Sequence, residues 1–133
     1  MTTRFADTYF YLALLDDQDQ HHTRVVAHVA DQSDAIVTTR WVLAEVANAL
    51  AGSAFRSTVA AFLEQLEDDP DVRIIGGGDA LYRRGLALYA RRADKSWSLT
   101  DCISFVAMEE QGLHEALTGD RHFAQAGFVP LFA

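Results

Sequence analysis

Arg4-Phe5-Ala6-Asp7-Thr8-Tyr9-Phe10-Tyr11-Leu12-Ala13-Leu14-Leu15 is the stretch whose reading decides the fold class. Arg4 to Ala6 is a short apolar approach to an acid and reads as a first buried strand. From Thr8 onward the period changes, with Tyr9, Leu12 and Leu15 at the spacing of one helix face. A strand that yields to a helix across a single aspartate opens an α/β unit, and open α/β sheets place their sites at such strand ends. The acidic run Asp16-Asp17-Gln18-Asp19 stops this helix.

The alternation continues along the chain. A helix is expected over 20–31, burying Val25, Val26 and Val29. Ala35-Ile36-Val37-Thr38 is a strand, and Thr38 or Thr39 can cap a helix through Leu50, with Gly52 at its expected C-terminus. Residues 54–67 form an amphipathic helix with Val59, Phe62, Leu63 and Leu66 on one side. Val72 to Ile75 is a strand and Gly76-Gly77-Gly78 a hinge-like loop without the glycine spacing of a phosphate cradle. Helices are expected over 79–92 and 99–111, the second closed by Gly112, with loop at Asp94-Lys95-Ser96. Glu115 to Thr118 is a short strand and Phe128 to Leu131 a last one, where Pro130 suits a sheet edge. Strands alternating with helices imply a largely parallel sheet with helices on both faces, in one domain over residues 1–133.

Composition narrows the class. The 133 residues are 50% hydrophobic and 23% charged, as in a soluble globular protein. No apolar run approaches the roughly 20 residues of a membrane span. The first residues do not read as a signal peptide, and the single cysteine, Cys102, permits no intrachain disulfide, so a cytoplasmic location is expected. The net charge of −8 is not that of a simple nucleic-acid binder. Clustered acids holding cations would be consistent with it. Arg83-Arg84, Arg91-Arg92 and Lys95 could form a local basic patch, although such pairs usually mark a solvated helix face.

Four acids stand at strand ends or helix starts: Asp7, Glu45, Asp101 and Asp120. Each has an ordinary explanation. Asp7 and Asp120 could be caps. Ser98-Leu99-Thr100-Asp101 has the spacing of a capping box. Glu45 sits among Val42, Leu43 and Val46, near a buried helix face where an unpaired carboxylate is costly. Four such placements in so short a chain are hard to assign to capping alone. If they converge, their repulsion calls for a cation, and hard oxygen ligands favour Mg²⁺ or Mn²⁺. His21, His22, His28 and His114 lack the spacing of a ligand pair, and His122 reads first as a surface or capping residue. Trp41, Trp97 and Cys102 read as packing residues.

Phe5-Ala6-Asp7-Thr8, the helix bearing Glu45, the stretch from Asp94 to Cys102, and Thr118-Gly119-Asp120-Arg121-His122-Phe123 together resemble the PIN domain, most closely its VapC-type toxin branch. The resemblance runs from Arg4 to the C-terminus. It implies a three-layer α/β/α sandwich around a mostly parallel sheet and a Mg²⁺- or Mn²⁺-dependent ribonuclease. It carries the family's acidic quartet onto Asp7, Glu45, Asp101 and Asp120. It also implies a homodimer and, for toxin members, a small antitoxin protein. On this reading Asp7 and Asp101 are direct metal ligands, Asp120 completes the set or acts through water, and Glu45 orients the attacking water. Carboxylates holding one or two such cations polarise a phosphoryl oxygen and activate water near neutral pH. A PIN nuclease of RNA maturation fits the same residues. A catalytically idle PIN-like binding module would have no reason to keep four repelling acids. A phospho-receiver domain would want paired acids after the first strand and a lysine after a late one, whereas Asp7 stands alone and Arg121 follows Asp120.

Overall fold

The computed structural model describes residues 1–76 and 78–133. The elements run β1 (Thr2–Ala6), α1 (Thr8–Leu15), α2 (His22–Asp31), β2 (Asp34–Thr39), α3 (Arg40–Ala49), α4 (Arg56–Asp68), β3 (Val72–Ile75), α5 (Asp79–Arg91), α6 (Leu99–Glu110), β4 (Glu115–Leu117), α7 (Arg121–Gln125) and β5 (Val129–Pro130). The five strands form one parallel sheet in the order β3-β2-β1-β4-β5.

That order carries the functional geometry. The chain steps outward from β1 to β2 to β3, then returns across the sheet to β4 on the far side of β1. Crossovers between parallel strands are right-handed, so reversing the direction of travel puts helices on both faces. The result is the α/β/α sandwich expected from the sequence. The reversal falls between β1 and β4, where Phe5 pairs with Ala116 and Ala6 with Leu117. A crevice opens at the carboxyl ends of strands flanking such a switch point.

The central strands are sealed from both sides: Phe5, Ala6, Thr38, Thr39, Ala116 and Leu117 are fully buried. Buried backbone of this kind must be hydrogen-bonded, and the ladder supplies the partners. Helix α6 is the most enclosed helix, with Cys102, Ile103, Ser104, Phe105, Ala107 and Met108 all buried. An apolar helix of this sort needs neighbours on every side. Helix α5 meets it at Gly85, where a Cβ would come within 3.0 Å of the Ile103 Cα. Around Phe105, midway along α6, Trp97, Phe123 and Phe128 form an aromatic cluster, with Phe105 edge-on to Phe123 at 4.9 Å.

Differences from the sequence expectation are local. Helix α2 buries Val25 alone, while Val26 and Val29 are 41% and 46% exposed. Its inward stripe is partly polar: the His21 ring packs on Tyr9, Arg24 donates to the Phe132 carbonyl at 2.7 Å, and His28 Nε2 meets Asp34 Oδ2 at 2.7 Å. The helix is turned so that this neighbouring, partly polar face packs inward with Val25, and the face carrying Val26 and Val29 looks out. Helix α3 is capped by Thr39, whose hydroxyl accepts from the Val42 N–H, but it ends at Leu50 and leaves Gly52 in the following turn. Gly112, at φ +66°, closes α6 as expected. Pro130 lies on the edge strand. The glycine run read as a loop includes Gly77, which lies outside the described residues. The five-residue helix α7 was not anticipated, because one turn and a half shows no periodicity.

Candidate active site

A cavity of about 510 Å³ opens at the carboxyl end of the sheet, lined by Asp7, Thr8, Tyr9, Glu45, Ser96, Ser98, Asp101, Gly119, Asp120 and His122. All four carboxylates singled out from the sequence reach it. Asp7 follows β1, Glu45 projects from α3, Asp101 lies in the first turn of α6, and Asp120 follows β4. Residues more than one hundred positions apart meet because β1 and β4 are neighbours.

Asp7 occupies the N-cap position of α1 but its side chain makes no capping hydrogen bond. Instead Thr118, fully buried, donates its hydroxyl to Asp7 Oδ2 at 2.8 Å and accepts the Asp120 N–H at 3.1 Å. With 5% exposure, Asp7 has lost most of its water. Burial drives its carboxyl from 3.8 up to about 7, against the pull of the Thr118 hydroxyl and the Thr8 N–H, with the charges of Asp101 and Asp120 adding to the rise. A buried carboxyl so reluctant to ionise lacks a cationic partner among the described residues.

Asp101 fills two roles. Its N–H donates to Ser98 Oγ at 3.0 Å, and its Oδ2 accepts the Ser98 N–H at 3.1 Å, completing a capping box. The same oxygen lies 3.0 Å from His122 Nδ1. Burial raises its carboxyl above the usual range, the Ser98 N–H and His122 pull it back, and Asp120 pushes it further up. Asp120 caps α7, accepting the His122 N–H at 2.9 Å. That cap brings the imidazole back over the acids, with Nδ1 3.4 Å from Asp120 Oδ1 and Nε2 3.4 Å from Ser96 Oγ. Glu45 accepts a hydrogen bond from the Thr8 hydroxyl at 2.5 Å.

Asp101, Asp120 and His122 each present a donor atom within 4.8 Å of the others, the spacing needed to hold one ion. The separations of 3.0 and 3.4 Å from His122 to the two acids are close to a neighbouring-ligand edge around a divalent cation, whose bonds are about 2.0–2.2 Å long. Asp7 is outside this set, held on Thr118 across the cavity floor. His122 was undervalued in the sequence. The available signal was its position two residues after a helix-capping aspartate, which turns its side chain toward the cap. His21 lies against Tyr9 and His22 Nδ1 is 2.7 Å from the Ala13 carbonyl, so neither lines the cavity.

The PIN domain family model matches residues 4–129. No curated protein matches the chain. Three of the solved structures that share the fold illustrate the likeness. VapC20 of Mycobacterium tuberculosis, described as a sarcin-ricin loop cleaving toxin, superposes with a TM-score of 0.87 at 24% identity, covering 98% of each chain. FitAcB of Neisseria gonorrhoeae gives 0.62 at 20% identity, covering 97% of this chain and 96% of that one. VapBC2 of Rickettsia felis, solved bound to a DNA fragment from its promoter, gives 0.65 at 12% identity and 97% coverage of both chains. At these identities the likeness is one of fold.

Proposed function

The chain belongs to the PIN domain family, and from that membership we propose that it is a divalent-metal-dependent endoribonuclease, the toxin of a type II toxin–antitoxin pair. In this reading residues 1–133 act as one PIN domain in the cytoplasm. The observation that carries it is the convergence of Asp7, Glu45, Asp101 and Asp120 on one cavity at the β1/β4 switch point, with His122 beside two of them.

The donor set suits a divalent cation. Asp101 and Asp120 offer hard oxygens, and His122 offers a nitrogen that Mn²⁺ accepts more readily than Mg²⁺ does. Asp7, only partly ionised near neutral pH without a counter-charge, would serve as a ligand or an electrostatic partner of a cation that lowered its pKa. A bound Mg²⁺ or Mn²⁺ supplies polarisation of the phosphoryl oxygen and a water that ionises more easily. The protein supplies the orientation. Ser98 fixes the Asp101 carboxylate, Thr118 fixes Asp7, and Thr8 aims Glu45, which orients and deprotonates the attacking water.

An antitoxin partner and a second copy of the chain complete the proposal. Exposed apolar side chains on α2 (Val26 and Val29) and on α5 (Tyr82 and Leu86) offer surfaces for such contacts. The resemblance in fold to VapC20, described as a cleaving toxin, supports the nuclease assignment.

The test is cleavage of a mixed RNA pool by purified protein with Mn²⁺, Mg²⁺ or EDTA, beside Asp7→Asn and Asp101→Asn. Metal-dependent cleavage lost in both folded variants is the expected result. Cleavage that persists in EDTA would overturn the mechanism.

A further inference from the structure

The distribution of unneutralised cations points to a path for the substrate. The chain has eleven lysine and arginine residues. Eight make an ion pair or a side-chain hydrogen bond. Arg4, Arg40, Arg83, Arg84 and Arg92 pair with acids, Arg24 and Arg56 with carbonyls, and Arg73 with Gln111. Among the described residues only Arg91, Lys95 and Arg121 make neither. All three lie close in sequence to residues that line the acidic cavity: Arg121 directly follows Asp120, Lys95 precedes Ser96, and Arg91 ends α5 just before them.

Lys95 also lines a neighbouring groove with Tyr89, Arg92, Ser96 and Trp97, and Ser96 belongs to both hollows. The groove therefore runs up to the cavity. Its wall is firm. Arg92 grips Asp94 through two hydrogen bonds of 2.9 and 3.0 Å while lying over the Trp97 ring at 5.0 Å. Trp97 in turn donates to Gln125 at 2.9 Å. Arg92 and Trp97 are thus occupied, leaving the Lys95 ammonium free. Tyr89 is 49% exposed.

We propose that this groove is the track by which single-stranded RNA enters the acidic cavity, Lys95 holding a phosphate that flanks the scissile one and Tyr89 stacking an unpaired base. The proposal rests on the ribonuclease reading and adds to it the surface along which the strand reaches the site. In a chain of net charge −8, a polyanion needs local positive charge that internal acids have not already neutralised. A free lysine and a solvent-facing aromatic ring are the two elements of a single-strand platform, since only an unstacked base offers its face to a ring. Arg91 and Arg121 are exposed and are flanked in sequence by residues that line the two hollows, Ala90 and Arg92 in one case and Asp120 and His122 in the other.

The test is fluorescence anisotropy of a short labelled single-stranded RNA of mixed sequence over a salt series. Asp101→Asn serves as the parent so that the RNA stays intact. Lys95→Gln should weaken binding severalfold at low salt and lower the slope of log affinity against log salt by about 0.7, the loss of one single-strand phosphate contact. Lys95→Arg should restore both. Tyr89→Ala should weaken binding roughly 5- to 150-fold with the slope unchanged, and Arg83→Gln, whose charge is already paired with Asp79, should bind like the parent. Lys95→Gln and Tyr89→Ala binding like the parent, while the wild type cleaves RNA with metal, would overturn the track and leave the nuclease standing. A parent that binds no RNA, together with a wild type that cleaves none, would overturn both.

Discussion

Replacing Asp7 by asparagine should stabilise the metal-free protein at neutral and alkaline pH while abolishing its metal-dependent activity. Asparagine keeps the shape of the side chain and can still accept the Thr118 hydroxyl proton. What it removes is the ionisation. The Asp7 carboxyl titrates at 3.8 in its reference state and near 7 in the folded protein. A carboxyl raised by folding opposes folding wherever the unfolded chain has lost the proton and the folded one keeps it. Stability therefore falls as pH rises from about 4 to about 7, then levels off. About three pKa units at 1.36 kcal/mol each give a total near 4 kcal/mol. Between pH 5 and pH 8 the share is about 3 kcal/mol. Urea denaturation in EDTA at those two pH values should show the variant's advantage growing by roughly that amount, equivalent to about 10 °C in Tm. Burial of the new amide cancels from this difference. At pH 8, Mn²⁺ should raise the stability of the wild type far more than that of the variant. Wild type and variant that follow parallel pH profiles in EDTA, within about 0.5 kcal/mol, would refute the argument that a buried carboxyl without a counter-charge awaits a cation.

Three further outcomes follow from the same geometry. His122→Ala should weaken Mn²⁺ binding more than Mg²⁺ binding, measured by calorimetry, because it removes a nitrogen donor and leaves the oxygens; equal losses for the two ions would assign His122 to positioning alone. Gly119→Ala should cost about 1–3 kcal/mol in urea denaturation, since a Cβ there would lie 2.5 Å from Tyr9 Cζ, and an unchanged midpoint would show that Tyr9 moves freely. At limiting metal, cleavage should rise with pH through about 7 as Asp7 ionises, and saturating Mn²⁺ should move that rise to lower pH. A pH profile indifferent to metal concentration would exclude Asp7 as its source.

The sheet and the site were legible in the sequence for different reasons. Strands β1, β2 and β3 stand out because apolar runs are cut off by an acid, a threonine or a glycine, and the acids that follow β1 and β4 mark the site by position. Helix α2 shows the limit of such reading. Its valines suggest a dry stripe, but Arg24 and His28 turn inward to Phe132 and Asp34, contacts made across 108 and 6 residues respectively. A pairing so distant in sequence leaves no local trace. His122 escaped for a related reason: its value depends on Asp101, 21 residues away, and on a helix of five residues. The capping box at Ser98 and Asp101 was visible in the sequence, and the structure keeps the cap while placing Asp101 at the cavity.

The bond from Thr118 to Asp7 spans 111 positions of the chain. Closing a loop of that length costs on the order of 4 kcal/mol in chain entropy, offset only after β4 has docked beside β1. During synthesis Asp7 is made first, Glu45 follows 38 residues later, and Asp101 and Asp120 come only after α4 and α5. A growing chain that has not yet reached Asp120 lacks one of the four acids that line the cavity, and it lacks His122 as well. On the nuclease reading, the order of the polypeptide would hold that activity back until β4 and Asp120 have been made.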